Sequence, residues 1–271
     1  MKVFISADLE GVNGVVLLEQ VFPSNPAYAQ AREWMVQEVN AAVEGAVQGG
    51  AREVLVNDAH HNMTNLLIDR LHPKATLLTG TRKSLSMMEG IESSVDAAFF
   101  IGYHAKSGTE GAVLDHTFAA SLIHDVRING ISVGEFGLSA GVAGHFGVPA
   151  ALVTGDQALV QEAKALVPAI EAVVVKEGVS RNAARCYPFA RTLEDIRLMA
   201  KRAIQHLSDK QPLKFEEPIR LAIDFQKTEQ ADLAAGMPGM QREGGRTVTF
   251  EADDFLTAYR AFVAVFRLAN Q

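Results

Sequence analysis

Short apolar runs alternate with segments of helical period along the first two-thirds of the chain, and no other feature constrains the fold as tightly. Runs of this length bounded by turns form strands buried on both faces. The intervening helices must then cover those faces, which is the pattern of a mainly parallel sheet in an α/β protein. Lys2–Ala7 reads as the first strand, Pro26–Gly49 as a helix closed by Gly49-Gly50, and Glu53–Asn57 as the second strand. Ala75–Leu78 and Ala97–Ile101 follow as strands, with a helix predicted over Ser84–Ile91 between them. Asn129-Gly130, flanked by Ser121–Ile128 and Ile131–Val133, signals a hairpin with a type I′ turn. Glu135–Phe146 and Gln157–Leu166 read as helices on either side of strand Ala150–Thr154, and Ala172–Lys176 returns to strand. From about Pro188 the texture changes: a charged helix over Leu193–Leu207, strands Ile219–Phe225 and Thr247–Glu251, and a final helix Phe255–Ala269. The expectation is a three-layer α/β domain over residues 1–187, its mainly parallel sheet flanked by helices, and a smaller α+β part over 188–271.

Composition narrows the function. A net charge of −7 argues against nucleic-acid binding, which needs a clustered basic surface. No window approaches the ~18 apolar residues of a membrane span. The first apolar stretch is too short for a secretory signal and ends in Asp8, so the cytoplasm is the expected compartment. The single cysteine, Cys186, excludes an intramolecular disulfide framework and a cysteine-based zinc finger, and it reads as a buried small hydrophobe. A metal in this chain must therefore be held by imidazoles and carboxylates.

Those residue types fall at strand ends. The first strand runs into Asp8-Leu9-Glu10-Gly11, the second into Asn57-Asp58-Ala59-His60-His61, and the fourth into Gly102-Tyr103-His104. In open α/β sheets the rim beyond the carboxyl ends of the strands is where ligands bind. Taken singly, each residue has an ordinary role: Asp8 a turn or cap, Glu10 a surface acid, His61 a loop residue, His104 a satisfied core histidine. Together, clustered carboxylates would repel one another, and a cation relieves the repulsion. Two carboxylates with two imidazoles suit zinc or manganese, not calcium. Asp115-His116 follows a glycine-containing loop (Gly108 to Gly111), and Glu135 opens a helix, where an acid also meets the favourable end of the helix dipole. Asp58 and Asp115 are either turn residues or orienters of ligand histidines.

The chain resembles the zinc-dependent D-aminopeptidase family over nearly its whole length. The resemblance is carried by Asp8-Leu9-Glu10-Gly11, Glu53-Val54-Leu55-Val56-Asn57-Asp58-Ala59-His60, Leu71-His72-Pro73 and Gly102-Tyr103-His104-Ala105. Further on come Ile128-Asn129-Gly130, Val133-Gly134-Glu135-Phe136-Gly137-Leu138 and Met237-Pro238-Gly239. It implies a binuclear zinc site with Asp8 bridging and Glu10, His60, His104 and Glu135 as the remaining ligands. It also implies a catalytic histidine between the last two ligands, matched here by His116, and a ring-shaped homo-oligomer, a decamer. The implied reaction removes the N-terminal residue, a D-amino acid such as D-alanine, from a short peptide. Two other readings are carried forward: a metal-dependent phosphoesterase, for which Lys106 is the candidate phosphate partner, and a non-catalytic peptide-binding accessory of a transporter.

Overall fold

In the computed structural model, which describes residues 1–269, twelve strands and six α-helices are formed. In chain order they are β1 (Lys2–Ala7), α1 (Ala27–Gly49), β2 (Glu53–Asp58), β3 (Ala75–Leu78), β4 (Ala97–Ile101), β5 (Ile123–Ile128), β6 (Ile131–Ser132), α2 (Glu135–His145) and β7 (Ala150–Asp156). They continue as α3 (Gln157–Leu166), β8 (Glu171–Ser180), β9 (Ala183–Cys186), α4 (Phe189–Gln205), β10 (Ile219–Phe225), α5 (Thr228–Ala234), β11 (Gln241–Arg242), β12 (Thr247–Ala252) and α6 (Phe255–Ala269).

The large sheet has the order β3-β2-β1-β4-β7-β8-β9, parallel throughout except for β9, which returns antiparallel along β8. The interior strand β1 shows why the sheet is buried twice. Val3, Ile5 and Ala7 face a core shared with α1 and α4, whereas Phe4 faces a second core that includes α2, α6 and the smaller sheet. Strand β4 alternates in the same way, Ala97, Phe99 and Ile101 against Ala98 and Phe100. The smaller sheet is antiparallel, in the order β11-β12-β10-β5-β6, with the β5–β6 hairpin turning at Asn129-Gly130. Residues 188–269 are divided between the layers: α4 packs on α1 against the large sheet, while β10 lies between β5 and β12. Among the described residues no helix is long and apolar enough to cross a membrane.

Three local expectations fail for identifiable reasons. Ser84–Ile91 is not a helix; only Ser86–Met88 forms a 3₁₀ turn. Ser86 sits at φ 49°, and the carbonyls an α-helix would use are taken by other donors: Asn57 Nδ2 reaches Ser86 O and Met87 O, and Ser6 Oγ also donates to Met87 O. β8 runs to Ser180, beyond the expected Lys176, because β9 pairs along its extension. Cys186 is exposed, not buried, since β9 is the sheet edge.

Candidate metal centre

Strands β2, β1 and β4 are neighbours in the sheet, so the three chain segments leaving their carboxyl ends emerge side by side. The segment after β1 is locked to the one after β4: Asp8 N–H donates to Ile101 O, and Gly11 N–H to Gly102 O, both at 2.8 Å. This approach tolerates no side chain. A Cβ on Gly11 would sit 1.7 Å from Tyr103 O, and one on Gly102, which also has φ +71°, would sit 2.3 Å from Asp8 O.

The result is a buried cluster in which Asp8, Glu10, His60, His104 and Glu135 are each no more than 5% exposed. Asp8 divides it. Its Oδ1 lies 3.3 Å from His60 Nδ1, which is also 2.9 Å from Glu10 Oε2. Its Oδ2 lies 3.5 Å from His104 Nε2, which is also 3.4 Å from Glu135 Oε1. The donor atoms of Asp8, Glu10 and His104 fall within 4.8 Å of one another, as do those of His104, His116 and Glu135. His116 stacks on His104 with ring centres 4.1 Å apart, and its Nε2 is 3.7 Å from Glu135 Oε1 and 4.0 Å from Glu10 Oε1. Its side chain is 16% exposed, so it borders the cavity rather than the interior of the cluster.

All three imidazoles are oriented by backbone. His60 Nε2 donates to Val21 O at 2.8 Å, His104 Nδ1 to Ala105 O at 3.0 Å, and His116 Nδ1 to Leu114 O at 2.8 Å. A carbonyl can only accept, so each of these ring nitrogens carries a proton and the opposite nitrogen faces the carboxylates, free to offer its lone pair to a cation placed between them. The two aspartates suggested as orienters do something else. Asp58 accepts from Asn65 N, Asn65 Nδ2 and Leu66 N, shaping the loop after His60. Asp115 accepts from Gly108 N and pairs with Arg181 at 2.9 Å. Glu135 does open α2, yet its Oε1 accepts from Phe118 N–H at 2.6 Å across the site.

The electrostatics reveal a shortage of positive charge. Burial, together with Glu10 and Glu135, pushes the Asp8 carboxyl up to about 7. Burial also acts to raise Glu10 and Glu135, but His60 and His104 outweigh it and hold both below the usual carboxylate range. Burial acts to lower His60 and His104, yet Glu10 and Glu135 hold both well above the ordinary imidazole value. His116, lowered by burial and by His104, stays neutral near pH 7. Protons here stand where cations would otherwise compensate three buried carboxylates. Asp8 Oδ2, Glu10 Oε2 and His104 Nε2 are buried without a hydrogen-bond partner, an arrangement that a coordinated cation would satisfy. Carboxylate oxygens and neutral imidazoles are the donor set of zinc and its neighbours.

Two residues that the sequence reading missed hold the segment carrying Glu10. Lys176 of β8, wholly buried, donates to Glu10 O at 2.6 Å, to Val12 O at 2.9 Å and to Val15 O. Glu38 of α1 accepts from Asn13 N–H at 2.9 Å. The cluster opens into a cavity of about 830 Å³, which Asp8, Glu10, His60, His116 and Glu135 line together with His61, Arg82, Arg181 and Arg267. Lys106 is not among its lining residues; its ammonium is bonded to Ser132 Oγ.

A family model described as D-aminopeptidase matches residues 1–264. The chain is 37% identical over 270 residues to the D-aminopeptidase of Bacillus subtilis (strain 168), covering 99% of this chain and 98% of that protein. It superposes with a TM-score of 0.97 and 36% identity on the solved structure of the Zn-dependent D-aminopeptidase DppA from Bacillus subtilis, described as a self-compartmentalizing protease. That match covers 100% of this chain and 98% of the other.

Proposed function

The chain belongs to the D-aminopeptidase family, and on that premise we propose that it is a binuclear zinc aminopeptidase removing an N-terminal D-residue, D-alanine or one like it, from short peptides. The observation that carries the two-metal reading is the division at Asp8, whose two oxygens face different imidazole–carboxylate pairs. In this reading Asp8, Glu10, His60, His104 and Glu135 would hold the metals, with Glu10 and His60 on one side of Asp8 and His104 and Glu135 on the other. Metals held there would supply Lewis acidity toward the scissile carbonyl and toward water at neutral pH.

The chain's own groups supply the rest. With Nδ1–H committed to Leu114 O, His116 presents an unprotonated Nε2 at the edge of the cavity. It is neutral near pH 7, so it can accept a proton from the attacking water and return it to the leaving amine. Stacking on His104 fixes its plane. A cavity of about 830 Å³ suits a small ligand, in keeping with a short peptide as substrate. The ring-shaped homo-oligomer, in the form of a decamer, and the cytoplasm as compartment are proposed on the resemblance and the near-absence of cysteine.

The test is release of D-alanine from D-Ala-D-Ala, with and without chelator, followed by zinc add-back, beside the L,L-dipeptide and a phosphomonoester. Expected are chelator-sensitive cleavage of the D-peptide, recovery at two zinc ions per chain, and no phosphatase activity. Absence of chelator-sensitive peptidase activity refutes the reading. Recovery at one zinc per chain refutes its binuclear part, and light scattering on the purified protein tests the assembly.

A further inference from the structure

Three arginines line the cavity into which the acidic cluster opens, and they are not equivalent. Arg181 is neutralised: its Nε pairs with Asp115 Oδ1 at 2.9 Å, and its Nη2 donates to Asp115 O. Among the described residues, Arg82 and Arg267 form no ion pair with a carboxylate. Both are exposed, Arg82 in the segment after β3 and Arg267 on the last turn of α6.

A single buried lysine sets both in place. Lys83 turns inward, its ammonium donating to Asn57 Oδ1 at 2.7 Å and to Asp58 O at 2.8 Å, at the end of the strand that leads to His60. Its neighbour Arg82 is held at φ +67°, a conformation unfavourable for a non-glycine residue, with its side chain on the cavity wall. The Lys83 carbonyl accepts from Arg267 Nη2, which ties α6 to the same turn. One cavity thus carries an acidic wall of Asp8, Glu10 and Glu135 and, separately, two guanidinium groups that no carboxylate among the described residues neutralises. A guanidinium fork matches a carboxylate in shape and charge.

We infer that Arg82 and Arg267 form a subsite for the free α-carboxylate of the peptide substrate, so that the enzyme selects short peptides with an unblocked C-terminus. This rests on the aminopeptidase reading and adds the group that is recognised away from the scissile bond. Neither arginine is assigned to the reacting atoms; both are specificity residues.

The experiment compares D-Ala-D-Ala with D-alanyl-D-alanine amide, which keeps the scissile bond and removes the anion. The subsite predicts that the wild-type enzyme favours the free acid in kcat/KM. Arg82→Ala should lower kcat/KM for the acid about tenfold, chiefly through KM, as expected for one charge-assisted contact in a solvated cavity. The amide should change little, Arg82→Lys should restore part of the preference, and the Arg82→Ala/Arg267→Met double variant should bring the acid-to-amide ratio toward one. Equal losses on the two substrates, or an unchanged ratio in the double variant, overturn the subsite while leaving the aminopeptidase reading intact. A wild-type enzyme that cleaves neither substrate overturns that reading and the subsite with it.

Discussion

Replacing Lys176 by methionine should detach the segment that carries Glu10. The ammonium is the shared donor to three carbonyls, those of Glu10, Val12 and Val15, within one six-residue stretch. A hydrogen bond from a charged donor contributes about 1.5–3 kcal/mol, and a methionine stem offers none. Against this stands the lysine's own burial, which lowers its pKa from 10.5 to about 8; relieving that desolvation returns about 3 kcal/mol. The net destabilisation is therefore about 2–6 kcal/mol at pH 7, where the wild-type lysine is still protonated. Urea denaturation at fixed protein and zinc concentrations reads the global part, because both zinc binding and assembly shift apparent stability. Zinc retained after dialysis against a weak chelator reads the local part and should fall, since Glu10 loses its backbone anchor. Stability within about 1 kcal/mol of wild type together with full zinc retention would refute the reasoning, because three buried carbonyls cannot lose their donor without consequence.

Three further outcomes follow from the same geometry. Burial raises the Glu38 carboxyl from 4.5 to about 7, so the folded state holds this proton more tightly than the unfolded chain does. Its ionisation therefore opposes folding as pH rises from about 4.5 through 7, by up to about 3 kcal/mol. Glu38→Gln keeps an acceptor for Asn13 N–H, and its stability advantage over wild type should grow across that window and level off above it; parallel stability–pH curves would contradict this. His116→Ala should lower kcat by about 10²–10⁴-fold with the wild-type zinc content retained, whereas loss of zinc, measured by elemental analysis, would make His116 a ligand instead. Gly11→Ala places a Cβ 1.7 Å from Tyr103 O, so the variant should be insoluble or destabilised by more than about 3 kcal/mol; a thermal melt matching wild type would show that the two segments can separate at little cost.

What the sequence makes legible, and what it hides, divides along a physical line. Asp8, Glu10, His60 and His104 are readable because donor side chains at the ends of parallel strands carry both a chemical and a positional signal, and β2, β1 and β4 prove to be neighbours. Glu135 is not readable in that way. Its local position says helix N-terminus, and only the packing of α2 beside the strand ends brings its carboxylate to 3.4 Å from His104. The misread helix at 84–91 has the same origin: its carbonyls are taken by Asn57 and Ser6, both distant in sequence. Orientation is more hidden still. The sequence offers Asp58 and Asp115 as turn residues or as orienters of the histidines, and neither touches an imidazole; the carbonyls of Val21, Ala105 and Leu114 do. Every residue has a carbonyl, so no letter marks these three. Their placement depends on backbone course, as does that of Glu10, whose carbonyl Lys176 holds from 166 positions further along the chain. Substitutions at Val21, Ala105 or Leu114 that preserve the backbone should leave the imidazole tautomers unchanged. A backbone shift at Val21 or Ala105 would turn His60 or His104 away from the proposed metals, and one at Leu114 would turn His116 away from the attacking water, with every side chain of the site still present.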